Sequence, residues 1–322
     1  MKIKVIVTSK NKNKNYDLSA AIDGAITYTG QITGSASKIT FDVIKEGEMI
    51  FHEGDKVTIY EDEKPYIVCF IFSKSKAQEK ISVVAYDILR YMQYKQSYSF
   101  KGMTASKILT QIANEFELPV GEIEDTKHVL PDKIYEDKTL LDIATDALMR
   151  TSVQTGKVYV LFDELGSLSL KEVENRKSPY IIGNKSFATD YTYTTSIEDS
   201  YNYIKLVKPN KDSGKTDTCI ALDPEKVKTW GKLQYYKKVD EKMNEAQIKD
   251  FAANLLKHHA QTQRNIKITA LGISQVKAGT LVLIDIQDLG DIALKKMLLI
   301  EKCTHRISDD HAMDLEMKVY NG

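Results

Sequence analysis

The sequence has few cysteines, a single tryptophan and no excess of charge of either sign. It has three cysteines and one tryptophan, and its 45 lysines and arginines are balanced by 45 aspartates and glutamates. Cys69, Cys219 and Cys303 are odd in number and far apart, which argues against a disulfide framework or a structural metal site and favours buried thiols in a reducing cytoplasm. The zero net charge argues against a dedicated nucleic-acid-binding protein, which usually has a basic excess.

Long hydrophobic runs are also missing. An apolar run such as 67–72 has the length of a strand and falls well short of the roughly 20 residues that a membrane-spanning helix needs. Near the first residue, only Val5, Ile6 and Val7 form an apolar run before Asn and Lys residues follow, so we expect no secretion signal. These features predict a protein that is made in the cytoplasm and does not enter a membrane.

Motifs for nucleotide binding and nucleophilic catalysis are absent or incomplete. The Gly-Lys-Thr at 214–216 lacks the upstream glycine of a phosphate-binding loop, because position 209 is Pro. The chain has no G-x-S-x-G sequence, and its many carboxylates do not single out an acid pair. We therefore predict no catalytic residues and no cofactor.

The six histidines likewise give no clear metal site. His258 and His259 are neighbours in a predicted helix and point about 100° apart, so they cannot share a metal as an i, i+4 pair would. The sequence favours one partly buried and one solvated ring. His305 and His311 flank a loop in which a site completed by acidic neighbours is an alternative to a solvated turn, and we favour the turn and no metal.

What the chain does contain is β-type alternation interrupted by helical periodicity. Residues 1–95 alternate apolar and polar in short stretches with turn-rich joints, as in a small antiparallel barrel or sandwich. Residues 96–178 add two amphipathic helices, the first with Thr104 as its N-cap, and a hairpin, and so predict an inserted α/β module. Residues 179–322 return to β patterns with one long helix near 244–262, in which Asn244 and Gln247 predict a capping box. The predicted fold class is α+β and mostly β, with three domains at these boundaries.

Two distant segments share one pattern. Gly54 and the residues after it align with Gly279 and the strand 280–286, which is apolar on both faces, whereas its earlier counterpart alternates. Apolar strands follow in each copy, and the closing strands align Ile81, Val83, Tyr86 and Asp87 with Leu315, Met317, Tyr320 and Asn321. This pattern predicts two related small barrels, although generic hairpins are an alternative explanation.

Tyrosines also recur at alternate positions. Tyr191, Tyr193, Tyr201 and Tyr203 lie in β-like segments. Two interpretations stay open: a stacking platform for sugars or bases, or amphipathic side chains packed against neighbouring subunits.

The order of these segments resembles one family, the XkdQ-like baseplate hub proteins of contractile phage tails and phage-tail-like bacteriocins. The residues that carry the resemblance are 103–123, 139–173, 195–207 and 244–286. Distant similarity extends to the tail hubs of myophages and the hub half of VgrG. The resemblance covers nearly the whole chain, but none of these stretches is a catalytic signature.

The resemblance implies a structural protein in the baseplate of a phage or phage-tail-like particle, assembled in the bacterial cytoplasm. Three chains would form a ring of six alternating barrels that adapts a hexameric tail tube to a threefold spike. The implied partners are a tail-tube or tube-initiator protein, the central spike, and baseplate wedge and LysM-containing proteins, with DNA only if it crosses the lumen. The rival functions are a tail-associated cell-wall hydrolase and a glycan-binding module.

This resemblance explains why the strand 280–286, which we call the dry strand, is apolar on both faces. The alignment predicts that Val282 and Ile284 fill the barrel core. Leu281 and Leu283 would then point outward at a subunit interface, because an outer barrel face packed on a neighbour should itself be apolar.

Overall fold

The computed structural model of the chain describes residues 2–10, 14–32, 34–45, 51–209, 216–241, 243–287 and 294–319. The Gly-Lys-Thr motif begins outside these residues. The described residues form 21 strands against four helices, so the predicted α+β, mostly β class is confirmed. Among the described residues, no helix is both long and apolar enough to span a bilayer.

The strands are short and are distributed along the whole chain. They are β1 Ile3–Ser9, β2 Lys14–Asp17, β3 Ile22–Gln31, β4 Lys38–Ile44, β5 Lys56–Glu61, β6 Lys64–Lys76, β7 Lys80–Tyr86, β8 Lys95–Phe100, β9 Val120–Ile123, β10 Lys133–Thr139, β11 Tyr159–Glu164, β12 Ser167–Glu172, β13 Lys177–Gly183, β14 Ala188–Ser196, β15 Tyr203–Pro209, β16 Thr216–Leu222, β17 Gln234–Lys238, β18 Gln263–Leu271, β19 Leu281–Ile286, β20 Leu294–Ile307 and β21 Ala312–Val319.

The helices begin where the sequence provides caps. They are α1 Ala105–Glu115, α2 Leu140–Thr155, α3 Pro224–Trp230 and α4 Glu245–His259. The Thr104 side chain accepts a hydrogen bond from the Lys107 amide at the start of α1. At the start of α4, Asn244 and Gln247 form the predicted capping box, in which each side chain accepts from the other's backbone amide.

Thirteen strands form one open sheet. Its main path runs β14-β18-β21-β20-β3-β4-β7-β6-β5-β1-β2, and β19 and β13 extend it sideways from β20. The prediction of two small barrels is wrong in one respect: the described strands do not close on themselves. Instead, the two halves of the chain share a sheet, because β20 of the second half pairs with β3 of the first.

The two halves nevertheless repeat one topology. The first runs β1-β5-β6-β7-β4-β3 and the second runs β13-β19-β20-β21-β18-β14. We call these the first and second repeat. They differ at one edge, because β1 is antiparallel to β5 whereas β13 is parallel to β19.

Hydrogen bonds fix the equivalence residue by residue. Gly54 donates its amide to the Ile71 carbonyl at 2.7 Å, and Gly279 donates to the Ile300 carbonyl at 2.8 Å. Both glycines have a positive φ, at 87° and 80°, which favours glycine. A register shift follows each isoleucine on the way to the next strand, between Ile71 and Ser73 and between Ile300 and Lys302.

This equivalence confirms the pairing of Val57 with Val282 and corrects the closing strands. Counted through the ladders, Val83 corresponds to Leu315 and Ala85 to Met317, two residues away from the alignment predicted from sequence. Tyr320 and Asn321, which that alignment matched to the end of β7, lie outside the described residues.

The inserted segment has a core of its own. Helices α1 and α2 pack with the sheets β10-β8 and β11-β12-β9 around a buried cluster that includes Ile108, Ile112, Ile143 and Leu168. The β11–β12 hairpin turns at Leu165 and Gly166, whose φ angles are both positive, as a two-residue type I′ turn requires.

The chain divides into two compact units. The smaller one comprises Val153–Gly156 and Tyr193–Asn265, and the larger one comprises the rest. The smaller unit contains the sheet β16-β15-β17, against which α4 buries Ile248, Ala252 and Leu255. The predicted boundaries 1–95, 96–178 and 179–322 follow another criterion, the repeats and the insertion, and stay a prediction.

Candidate assembly surface

The dry strand β19 is covered on both edges by strands of its own chain. It lies between β13 and β20. Val282, Ile284 and Ile286 are completely buried, as expected of a face that fills the core. The opposite face carries Leu281 and Leu283, and the two leucines have different surroundings.

Leu281 is 0% exposed within the single chain. It packs with Val160 and Val173 of the inserted segment and with Leu299 of β20. The prediction that Leu281 points toward a neighbouring chain is therefore corrected in its geometry: the insertion already covers this side chain. For Leu281, contacts within the single chain are enough to explain the apolar side chain.

Leu283 is partly exposed on the same face. It pairs with Met297 of β20, which is also partly exposed, and with Ile181 of β13, which is 48% exposed. Side chains of directly opposed residues share one face of a sheet, so the three form an apolar row. The interface prediction for Leu283 stays a prediction, and this row is the surface that would carry it.

A second surface is the outer edge of β6 after the bulge. Residues 73–76 pair with β7 on one side, and no strand of the described residues pairs with the other. The Ala77 amide donates to Lys80 at 2.9 Å, so alternate residues before it, Ser75 and Ser73, also turn their amides toward β7. The amides and carbonyls of Lys74 and Lys76 therefore face the open edge.

Aromatic side chains cluster where this edge begins. The Phe72 ring is 37% exposed and lies 5.5 Å from Tyr86 and 5.6 Å from Tyr91, measured between ring centroids. The Arg90 guanidinium lies 5.5 Å from the centroid of the Phe72 ring. Aromatic residues and arginine are enriched in protein–protein interfaces, so the cluster favours a docking role for this edge.

The structure also brings together a charged cluster that the sequence did not predict. Asp87, Asp163, Arg176 and Lys277 line one groove of about 900 Å³. Asp87 lies at the end of the first repeat, and Lys277 lies in the second repeat. Asp163 lies on β11 of the insertion, and Arg176 lies just before β13, where the insertion ends. The cluster thus joins three segments of the larger unit. Only structure reveals it, because the four residues are up to 190 positions apart in the sequence.

Each of these charges has specific contacts. Asp87 accepts hydrogen bonds from the amides of Ser37 at 2.9 Å and Leu89 at 3.0 Å. The Lys277 ammonium donates to the Tyr66 carbonyl at 2.8 Å and lies 4.2 Å from the centroid of the Tyr66 ring.

The insertion contributes the other two charges. Asp163 accepts from the Gly166 amide at 3.1 Å, and the Arg176 guanidinium lies 3.6 Å from the centroid of the Phe162 ring. Backbone amides and aromatic faces therefore hold these charges in place of direct ion pairs.

Burial shifts the pKa values of the cluster toward neutral forms. Burial, assisted by Asp163, raises the pKa of Asp87 to about 7. Burial also raises the pKa of Asp163 to about 6 and lowers the pKa of Lys277 to about 8. No thiol or histidine in this groove has its pKa moved toward a reactive form, since burial raises the pKa of Cys69.

His258 and His259 have the predicted surroundings, whereas His305 lies in the buried part of β20 and not in a solvated turn. His258 is exposed and His259 half-buried, as predicted. His305 is fully buried and makes hydrogen-bonding contacts with His311 at 3.0 Å and with the Val276 carbonyl at 2.8 Å. Within the part of the chain that the structure describes, no three His, Cys, Asp or Glu side chains are placed to hold a metal ion.

The four tyrosines do not form one platform. Tyr191 and Tyr193 lie on β14, whereas Tyr201 and Tyr203 lie beyond its end. Tyr201 packs edge-on against the Tyr235 ring, with 5.4 Å between the centroids, in the core of the smaller unit. Tyr191 and Tyr193 are partly exposed on β14, so the four tyrosines have different surroundings.

Comparisons with known proteins agree with this architecture. Residues 26–318 match the model of the YqbQ-like family. The chain is 28% identical to YqbQ of Bacillus subtilis strain 168 over 301 residues, which cover 91% of each chain. It is 29% identical to the phage-like element PBSX protein XkdQ of the same strain over 282 residues, which cover 85% of each.

A solved structure extends the comparison to the fold. The tail protein from Neisseria meningitidis MC58 superposes with a TM-score of 0.73 at 13% identity, covering 99% of this chain and 98% of that one. The resemblance to the XkdQ-like proteins is thereby confirmed. The chain belongs to the YqbQ-like family and has the fold of phage tail proteins.

Proposed function

We propose that this protein is the structural hub of a contractile baseplate, in a phage or a phage-tail-like bacteriocin. Three copies form a ring on the tail axis, so that six repeats surround one channel. The ring adapts a hexameric tail tube to a threefold central spike. The chain is assembled in the bacterial cytoplasm and stays in the baseplate of the released particle.

The internal repeat is the observation that carries this proposal. The two repeats have one topology and lie side by side in one sheet, joined through β3 and β20. A chain with two equivalent repeats presents six repeats when three copies close a ring, and this number matches a hexameric tube. The same chain still has only three copies of every loop and insertion, as a threefold spike requires.

The partners follow from this position. A tail-tube or tube-initiator protein binds one end of the ring and the spike binds the other, while wedge and LysM-containing proteins surround it. DNA contacts the hub only if it passes through the channel. Extended interfaces carry this function, and no residue is assigned a catalytic role.

Deletion and complementation test the proposal. Deleting the gene from the producing strain should leave particles without a baseplate, and the wild-type chain supplied in trans should restore them. A zymogram on peptidoglycan separates the rival: lysis that disappears when one carboxylate is replaced would support a hydrolase. Intact, contractile particles in the deletion strain would contradict a hub.

A further inference from the structure

The two repeats are joined by pairing of β3 with an edge of β20. The equivalent edge of β6 has no such partner strand among the described residues. Within the chain, β3 pairs antiparallel with the second half of β20. The Ile32 amide donates to the Glu301 carbonyl at 3.0 Å, so by alternation the backbone groups of Cys303 and His305 also face β3. This joint covers the edge of β20 beyond its bulge.

The corresponding edge of β6 has no partner strand in the described ranges. Lys74 follows Ile71 by three residues, just as Cys303 follows the matched Ile300, and Lys76 corresponds to His305 in the same way. The backbone groups of the two lysines face outward, with no partner strand among the described residues. Residues 73–76 are correspondingly more exposed than their counterparts 302–305.

The strand that would fill this edge is also present, and it is the terminal strand of the main path. In the second repeat, β14 occupies the position that β3 has in the first. Its inner side pairs with β18, and its outer side has no partner strand in the described part of the chain. Among the described residues, the β6 edge of the first repeat and the outer side of β14 in the second repeat therefore both lack a partner strand.

We propose that β14 of one copy adds to the β6 edge, residues 72–76, of a second copy of this chain. The pairing repeats the β3–β20 joint between molecules and deepens the proposed function, on which it rests. An interface between two different surfaces is head-to-tail, and such interfaces close into rings or continue as filaments. A ring of three copies then has six joints, of which three lie within chains and three between them.

The side chains at this edge are compatible with an added strand. The Lys74 side chain is 9% exposed; its ammonium donates to the Phe51 carbonyl and lies 3.8 Å from Glu53, so the charge of Lys74 stays paired on docking. The exposed cluster around Phe72 supplies aromatic area at the end of the edge. Lysines on an edge strand also serve to prevent pairing, which makes the oligomeric state a decisive observable.

Disulfide trapping tests the joint in the full-length chain. Ser75 is exposed and lies between the two outward-facing lysine amides, where opposed Cα atoms across an added strand come within about 4.5 Å. Ser75→Cys is combined in turn with a cysteine at each residue of 190–194. The background carries Cys219→Ser, because Cys219 is the one free cysteine that is not buried.

The internal symmetry provides a matched control. Thr304 corresponds to Ser75, because the two residues face Asp314 and Ser82 at equivalent positions of β21 and β7. The other side of Thr304 is occupied by Thr29 of the same chain. Thr304→Cys with the same cysteines in 190–194 should give no bond between chains.

Mild oxidation, non-reducing gels and light scattering give the readout. We expect covalent oligomers for one or two alternate positions in 190–194 with Ser75→Cys, and none with Thr304→Cys. An oligomeric molar mass without any such crosslink would overturn the joint and leave the hub proposal standing. The molar mass of a single chain at every concentration would contradict both the joint and the ring.

Discussion

Replacing Leu281 and Leu283 with alanine, one at a time, tests the explanation of the dry strand. Both leucines lie on one face of β19, two residues apart, and each pairs with an apolar residue of β20. They differ in what covers them: Leu281 lies under Val160 and Val173, whereas Leu283 is partly exposed. The chemical change is identical, so the difference between the variants reports burial within the chain.

The expected magnitudes are well separated. A buried leucine truncated to alanine costs about 2–5 kcal/mol in free energy of unfolding, through lost transfer energy and the cavity left behind. Leu281 is fully buried among residues of packed strands, so we expect about 3 kcal/mol. Leu283 keeps water contact in both states, and we expect about 1 kcal/mol or less.

Urea unfolding followed by far-ultraviolet circular dichroism measures the difference. With a dependence on urea of about 3 kcal/mol per molar, the Leu281 variant should unfold about 1 M earlier than the wild type. The Leu283 variant should shift by about a third of that. Equal shifts for the two variants would refute the assignment of Leu281 to a core formed with the insertion.

Three further predictions concern assembly, pH and the insertion. Leu283→Asp should leave the circular dichroism spectrum unchanged but prevent incorporation into particles, because docking would bury an unpaired carboxylate; normal incorporation would remove Leu283 from any interface. The raised pKa of Asp87 means that the folded state binds an extra proton between about pH 4 and 7, so its contribution to stability is present below this range and is lost as the pH rises through 7. Asp87→Asn should therefore flatten the dependence of the urea midpoint on pH between 5 and 8, and an unchanged slope would exclude this carboxyl as its source. The excised fragment 87–178 should unfold cooperatively and at higher temperature than 96–178, because the longer fragment keeps the buried Ile88, Leu89 and Met92; equal stability would place these residues outside the module's core.

The sequence predicted the elements whose signals are local. The caps at Thr104 and Asn244 lie next to the helices they start, and the hairpin turn at Leu165 and Gly166 depends on two residues only. The repeat was also visible, because Gly54 and Gly279 require the same backbone conformation. Helix α3 was missed although Asp223 and Pro224 form a cap and a first-turn proline, the signal that would have found it.

What the sequence could not predict depends on contacts between distant segments. Leu281 and Leu283 look alike in the sequence, and only the position of the insertion distinguishes them. The open sheet in place of two closed barrels follows from the β3–β20 pairing, which joins strands about 270 residues apart. The cluster of Asp87, Asp163 and Lys277 has no sequence signal for the same reason.

An image reconstruction of the intact particle by electron cryomicroscopy tests the central claim most directly. We predict three copies of this chain on the tail axis, with six repeats around one channel and β14 of each copy beside the β6 edge of the next. A reconstruction that places the chain away from the axis, or on it in a number other than three, would contradict the proposal that it is the hub.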